Sequence, residues 1–145
     1  MHPEGPARDR GIGPVRLEER QSNVARALGA GYETESSIEG GETYAAFDYK
    51  VGSITLEVAY VDGLVAGVDT KSPAVILFGH PLGDGLKTFR RVLRHRRGWR
   101  IDQCHHRAFT ALAPGGPGTG IEWKDGRVKL VMIDVGGVLD DCALL

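Results

Sequence analysis

Three consecutive residues, Cys104, His105 and His106, have side chains that bind transition metals. Thiolate and imidazole are typical zinc ligands, and His95 and Cys142 are further candidates. However, adjacent side chains of a strand point to opposite faces, so His105 and His106 are not expected to bind the same ion. No paired cysteine or histidine spacing accompanies them. We therefore expect a surface strand edge and no metal site.

A second chemical pattern is the segment 130–141, in which an apolar strand ends in Asp134 and is followed by Gly-Gly-Val-Leu. It resembles the first motif of haloacid-dehalogenase-type phosphohydrolases. That resemblance implies Asp134 as a nucleophile, supported by a downstream lysine and by further acids that hold Mg²⁺. Only 11 residues follow Asp134 in the given sequence. These are too few to contain the family's later motifs, which carry the lysine and the Mg²⁺-binding acids. We interpret the match as accidental.

The final four residues, Cys142 to Leu145, have the form of a prenylation signal. Such an anchor is usually supported by basic residues, whereas Asp140 and Asp141 precede the cysteine here. No nucleophile elbow or phosphate-binding loop is present elsewhere. We therefore expect no enzymatic activity, no cofactor and no membrane anchor.

The strongest binding pattern is a group of cations that we call the basic ridge. Several of these cations recur at helical spacing, on the side opposite an apolar stripe. They lie within residues 87–107, which contain eight lysine and arginine residues and a single acid, Asp102. This excess of positive charge favours an anionic partner, either an acidic protein or nucleic acid. The alternative is an ordinary solvated helix face. The basic ridge comprises Lys87, Arg90, Arg91, Arg94, Arg97 and Arg100.

Composition is that of an ordinary globular protein. The 145 residues are 41% hydrophobic and 26% charged, with 21 glycines that suggest many tight turns. No apolar run reaches the roughly 18 residues of a membrane span, and the first residues do not form a secretory signal. The two cysteines fit a reducing compartment. These observations predict a cytoplasmic, bacterial protein.

Two segments have helical periodicity, about 17–28 and 83–96. The polar segment 32–41 is predicted to be a loop. The segment 53–61 alternates apolar and polar residues, which predicts a strand, and Asp62-Gly63 predicts a tight hairpin turn after it. Further strands are predicted at Thr43–Tyr49, Leu64–Val68, Trp99–Asp102, Ala108–Leu112, Ile121–Lys124 and Arg127–Asp134.

The order of these segments suggests an internal repeat. Leu17 and Leu82, and likewise Val24 and Phe89, stand 65 residues apart. We predict an α+β fold of two tandem helix-plus-antiparallel-strand units that form one sheet with helices on one face. The predicted organisation is a loose N-terminal arm at 1–12 and a single domain at 13–145. The domain contains two repeats, about 13–78 and 79–134, and a short C-terminal tail.

The segment from Gly11 to Leu17, together with Ala27-Leu28-Gly29, resembles the repeat opening of the beta-lactamase inhibitory protein family and of related small actinobacterial proteins. The resemblance implies two repeats joined in one sheet, whose open face grips a partner protein. From it we predict a non-enzymatic, immunity- or inhibitor-like protein that neutralises an acidic protein partner. The alternative is a nucleic-acid-binding accessory protein that uses the basic helix 87–100.

Overall fold

The computed structural model describes residues 11–105, 108–112, 118–124 and 127–134. Twelve strands and two helices lie in these ranges, together with a single 3₁₀ turn at Leu82–Asp84. The N-terminal half contains β1 (Gly11–Ile12), β2 (Val15–Arg16), α1 (Gln21–Leu28), β3 (Tyr32–Glu39), β4 (Glu42–Val51), β5 (Ile54–Val61) and β6 (Leu64–Thr70). The C-terminal half contains β7 (Ile76–Leu77), β8 (His80–Pro81), α2 (Leu86–Arg94), β9 (Arg100–His105), β10 (Ala108–Leu112), β11 (Gly118–Lys124) and β12 (Arg127–Asp134).

Eight strands form one antiparallel sheet in the order β3-β4-β5-β6-β12-β11-β10-β9. Each half of the chain therefore contributes four consecutive strands, and β6 and β12 join the two halves at the centre. Their register pairs Val68 with Ile133 and Asp69 with Met132. Two small hairpins, β1–β2 and β7–β8, stand outside this sheet.

The β5–β6 hairpin shows how local sequence builds the sheet. Asp62 and Gly63 have φ values of 50° and 78°, the left-handed conformation that a two-residue hairpin turn requires. The predicted turn is therefore confirmed. The Asp62 carboxylate also accepts a hydrogen bond of 2.9 Å from the main-chain N–H of Thr43, which ties the turn to β4.

The hydrophobic core lies against one face of the sheet. On β5, Leu56, Val58 and Tyr60 are buried at alternate positions, as the two-residue period of a strand dictates. The helices add Val24 from α1 and two fully buried residues from α2 to the same cluster. Burial of each large side chain contributes about 1.5–3 kcal/mol to folding.

The predicted α+β class, with two helix-plus-antiparallel-strand units forming one sheet with helices on one face, is wrong. Most described residues lie in strands, the helices contain only eight and nine residues, and the chain does not divide clearly into two such units. The apolar stripe that begins at Leu17 is not one helix. Glu18 has a φ of 69°, and its main-chain N–H donates to the Val65 carbonyl. The segment before α1 is therefore bonded to β6 and is not helical.

The predicted loop at 32–41 is also wrong, because β3 pairs with β4 along its whole length. Its side chains are mostly exposed, and β3 lies at the edge of the sheet. Backbone pairing with β4 therefore makes this polar segment a strand, although its composition does not favour a buried strand. Of the predicted N-terminal arm, Gly11 and Ile12 form β1 and Ile12 is fully buried; residues 1–10 lie outside the described ranges.

Candidate functional site

The face of the sheet opposite the core carries a line of carboxylates. Asp48 on β4 pairs in register with Glu57 on β5, and Glu57 pairs with Asp69 on β6. Side chains directly opposite each other on adjacent strands lie about 4.5–5.5 Å apart at Cβ. The three carboxylates, which we call the acidic row, are therefore immediate neighbours across three strands.

No member of the acidic row forms an ion pair or accepts a side-chain hydrogen bond within the described ranges. Lys71, two residues after Asp69, acts on Asp69 electrostatically but does not prevent its pKa from rising. Like charges placed directly opposite each other destabilise a sheet, by a few tenths to about 1 kcal/mol per pair. The arrangement therefore has an energetic cost that Lys71 offsets only in part.

Asp69, a member of the acidic row, has a shifted pKa. Burial, and after it the carboxylates of Glu57 and Asp48, raise the pKa of Asp69 to about 7, while Lys71 lowers it. Asp69 therefore retains its proton to a higher pH than an ordinary carboxyl group does. A cation placed against the acidic row would favour the charged form and release this proton.

More acids extend the negative surface towards the sheet edge. Burial is the largest cause that raises the pKa of the Tyr44 hydroxyl, and the charge of Glu35 is the next. Tyr44 also lies in a hollow of about 340 Å³ beside the edge strand. We call the whole surface the acidic sheet face; it comprises Glu35, Glu39, Glu42, Asp48, Glu57 and Asp69.

Small residues lie beside these acids on the same face. Ala46, Ala59 and Gly67 pair across β4, β5 and β6 in the register step beside the acidic row. Ala46 is buried there, and Ala59 and Gly67 are half-buried. The exposed Lys50 pairs with Thr55 at the far end of the same face. The acidic sheet face is therefore a surface on which carboxylates predominate.

The basic ridge lies elsewhere on the molecule. The structure places Lys87, Arg90, Arg91 and Arg94 on the exposed side of α2, with Phe89 and Leu93 buried on the other side. Arg97 and Arg100, the remaining members, are exposed just beyond the helix. The neighbouring Arg96 instead holds its guanidinium carbon 5.2 Å from the Phe78 ring centroid. The binding role of the ridge stays a prediction.

The other chemical motifs are placed only in part. Cys104 and His105 lie in β9, whereas His106 and Cys142 fall outside the described residues. Within the described ranges, no three His, Cys, Asp or Glu residues are grouped so that they could hold a metal ion. Asp134 ends β12 opposite Gly67 and Gly118, and the rest of its motif is not described.

The acidic row is not among the predicted site residues. A signal for it is present in residues 32–62, which contain seven acids and the single base Lys50. Period-two spacing within each strand would have placed each acid on a face, but the register between strands decides that three of them meet.

Comparison with protein-family models, with curated proteins and with solved structures returned no match. The resemblance to the inhibitory protein family therefore stays a prediction. Within the described ranges, neither helix has the length and apolar character needed to cross a membrane.

Proposed function

We propose that this protein is a non-enzymatic binding protein that neutralises a partner protein, in the manner of an immunity protein or an inhibitor. The acidic sheet face is the surface that holds the partner, and the partner presents a cationic surface to it. The observation that carries this proposal is the acidic row, Asp48, Glu57 and Asp69, whose members lie side by side on adjacent strands and form no ion pair with another described residue.

The energetic cost of the acidic row supports this proposal. A sheet gains no stability from carboxylates placed side by side, and it loses stability when one of them is partly buried. Lysine or arginine side chains of a partner would offset both costs at once. Charged surfaces of this kind mainly accelerate association and select the partner. A binding role thus accounts for an arrangement that folding alone disfavours.

The partner expected here differs from the one predicted from sequence, an acidic protein at the basic ridge. The acidic sheet face favours a basic partner, because its charge is concentrated on adjacent strands and is unpaired among the described residues. Two cysteines in 145 residues fit a reducing compartment, so we propose that the encounter takes place in the cytoplasm.

The test compares two strand glutamates that differ in the face they occupy. Glu57 lies in the acidic row, whereas the equally exposed Glu33 on β3 pairs with Phe47 on the opposite side. A cytoplasmic extract is passed over immobilised wild type, Glu57→Gln and Glu33→Gln, and the retained protein is purified for affinity measurements. We expect a partner retained by wild type and Glu33→Gln, and bound about tenfold more weakly by Glu57→Gln. Equal retention by all three would refute the proposal.

A second candidate function is nucleic-acid binding through the basic ridge. The exposure of four cations on one side of α2 favours it. A short DNA duplex titrated at two salt concentrations should then bind wild type, with a salt slope that falls by about one for each phosphate contact removed in Arg91→Glu/Arg94→Glu. Glu57→Gln would leave duplex binding unchanged or strengthen it, which separates this function from the first.

A further inference from the structure

The two small hairpins enclose a cleft away from the acidic sheet face. Its volume is about 370 Å³. Gly11, Gly13 and Arg16 line it from the β1–β2 hairpin, and Ile76, Phe78 and Gly79 line it from the β7–β8 hairpin. The β1–β2 hairpin is anchored in the core by the buried Ile12 and Val15, and the β7–β8 hairpin by the buried Phe78, so the cleft is a built feature of the fold.

Arg16 is the charged group of this cleft, and the chain around it fixes its position. Its Nη1 donates hydrogen bonds to the carbonyl oxygens of Gly13 and Val15, the latter at 3.2 Å. The side chain passes over Gly11, where an added Cβ would overlap the Val15 oxygen and lie 2.8 Å from Arg16 Cδ. Glycine at position 11 is therefore required for this placement of the guanidinium.

The guanidinium of Arg16 has no carboxylate partner in the described part of the chain. The nearest carboxylate contact is made by its main chain, since Glu19 Oε1 accepts the Arg16 N–H at 3.3 Å. An arginine carries five N–H donors in a planar fork, and the two carbonyls occupy only Nη1. No other described residue occupies the remaining donors, whose planar arrangement suits a planar anion such as a carboxylate.

The opposite wall is apolar. Ile76 is 52% exposed, while Phe78 is buried with a φ of 53°. Phe78 and Gly79 form the two-residue turn between the paired Leu77 and His80, and such a turn requires positive φ. The Phe78 ring also meets the Trp99 ring edge-on at 5.9 Å. The wall is thus a fixed apolar surface, and Arg16 is the charged residue among those that line the cleft.

We propose that this cleft binds a small monocarboxylate with an apolar body. The single guanidinium matches one negative charge and the fork matches a carboxylate, while Ile76 and Phe78 pack against the apolar part. A cleft of this volume falls within the range of small-ligand sites. This site is independent of the proposed function at the acidic sheet face.

The experiment titrates ¹⁵N-labelled protein with phenylacetate and, separately, with the neutral phenylacetamide. We expect phenylacetate to shift the amide signals of Gly11, Gly13 and Gly79 and to bind at least about tenfold more tightly than the amide, because charge-assisted hydrogen bonds are lost in the latter. Arg16→Gln should abolish this preference, whereas Arg20→Gln, an exposed arginine four residues away, should retain it.

A second variant distinguishes loss of binding from a local folding defect in Arg16→Gln. Ile76→Asp leaves Arg16 in place and sets a competing carboxylate at the exposed rim of the cleft, so phenylacetate affinity should fall about tenfold while thermal stability stays near that of wild type. The proposal is overturned if phenylacetate shifts none of the cleft signals, if the amide binds equally well, or if both variants bind like wild type.

Discussion

The basic ridge and the acidic sheet face are both dense in charge, but they arise differently. The cations on α2 come from one nine-residue helix, and they project into solvent where charge is inexpensive. The acidic row comes from three strands and places three carboxylates, among them the partly buried Asp69, next to each other. Charge on the helix therefore costs the fold little, whereas charge on the sheet has an energetic cost.

The largest expected effect concerns the buried side of α2. Phe89 is fully buried beneath the ridge, so Phe89→Ala should cost about 3–5 kcal/mol of unfolding free energy through loss of packing and cavity formation. Urea denaturation followed by circular dichroism measures it. A loss below about 1 kcal/mol would mean that α2 does not hold the core together, and the contrast between its two sides would disappear.

The next effect depends on pH. Because the pKa of Asp69 is raised to about 7, the folded state holds this proton more tightly than the unfolded chain. Stability is then fully present below the ordinary carboxyl pKa and falls as pH rises through about 7. Asp69→Asn should remove this loss, making the variant more stable than wild type at pH 8 by roughly 1–2 kcal/mol after allowance for solvent screening.

The control for Asp69→Asn is the same pair of proteins at pH 4. Wild type and variant should there unfold at similar denaturant concentrations, since the native carboxyl is already protonated. An advantage of equal size at both pH values would assign the effect to the amide side chain and not to the charge of the acidic row.

A smaller effect tests like-charge repulsion directly. Glu57→Lys places a cation between Asp48 and Asp69, and it should stabilise the fold by about 0.2–1 kcal/mol. It should also lower the pKa of Asp69, which carboxyl ¹³C titration by NMR measures. Glu33→Lys, on the opposite side of the edge strand, should change neither quantity; if it stabilises the fold equally, the acidic row has no special cost.

The smallest effect is expected at the ridge itself. Arg91→Glu and Arg94→Glu replace exposed side chains, so each should change the unfolding free energy by no more than about 0.5 kcal/mol. Thermal melts of the two variants beside Phe89→Ala provide the comparison. A destabilisation above about 1 kcal/mol would show that the ridge supports the fold.

The sequence determined those features that depend on neighbours along the chain. The alternation of Leu56, Val58 and Tyr60 predicted a strand with one buried side. Asp62-Gly63 predicted the turn that follows, because a two-residue hairpin needs positive φ. The spacing of Phe89 and Leu93 separated the buried side of α2 from its cations. In each case the physical cause is a period of 2 or 3.6 residues, which is local.

Only the tertiary structure decided how distant segments meet. Glu18 leaves the helical conformation because its N–H donates to the Val65 carbonyl, and β3 forms because it pairs with β4 from Tyr32 to Glu39, with one bulge between Glu33 and Glu35. Asp48, Glu57 and Asp69 become neighbours through strand register, and Arg16 faces Ile76 across a cleft between two hairpins. Pairing energy is shared between segments far apart in the chain, so no local pattern contains it.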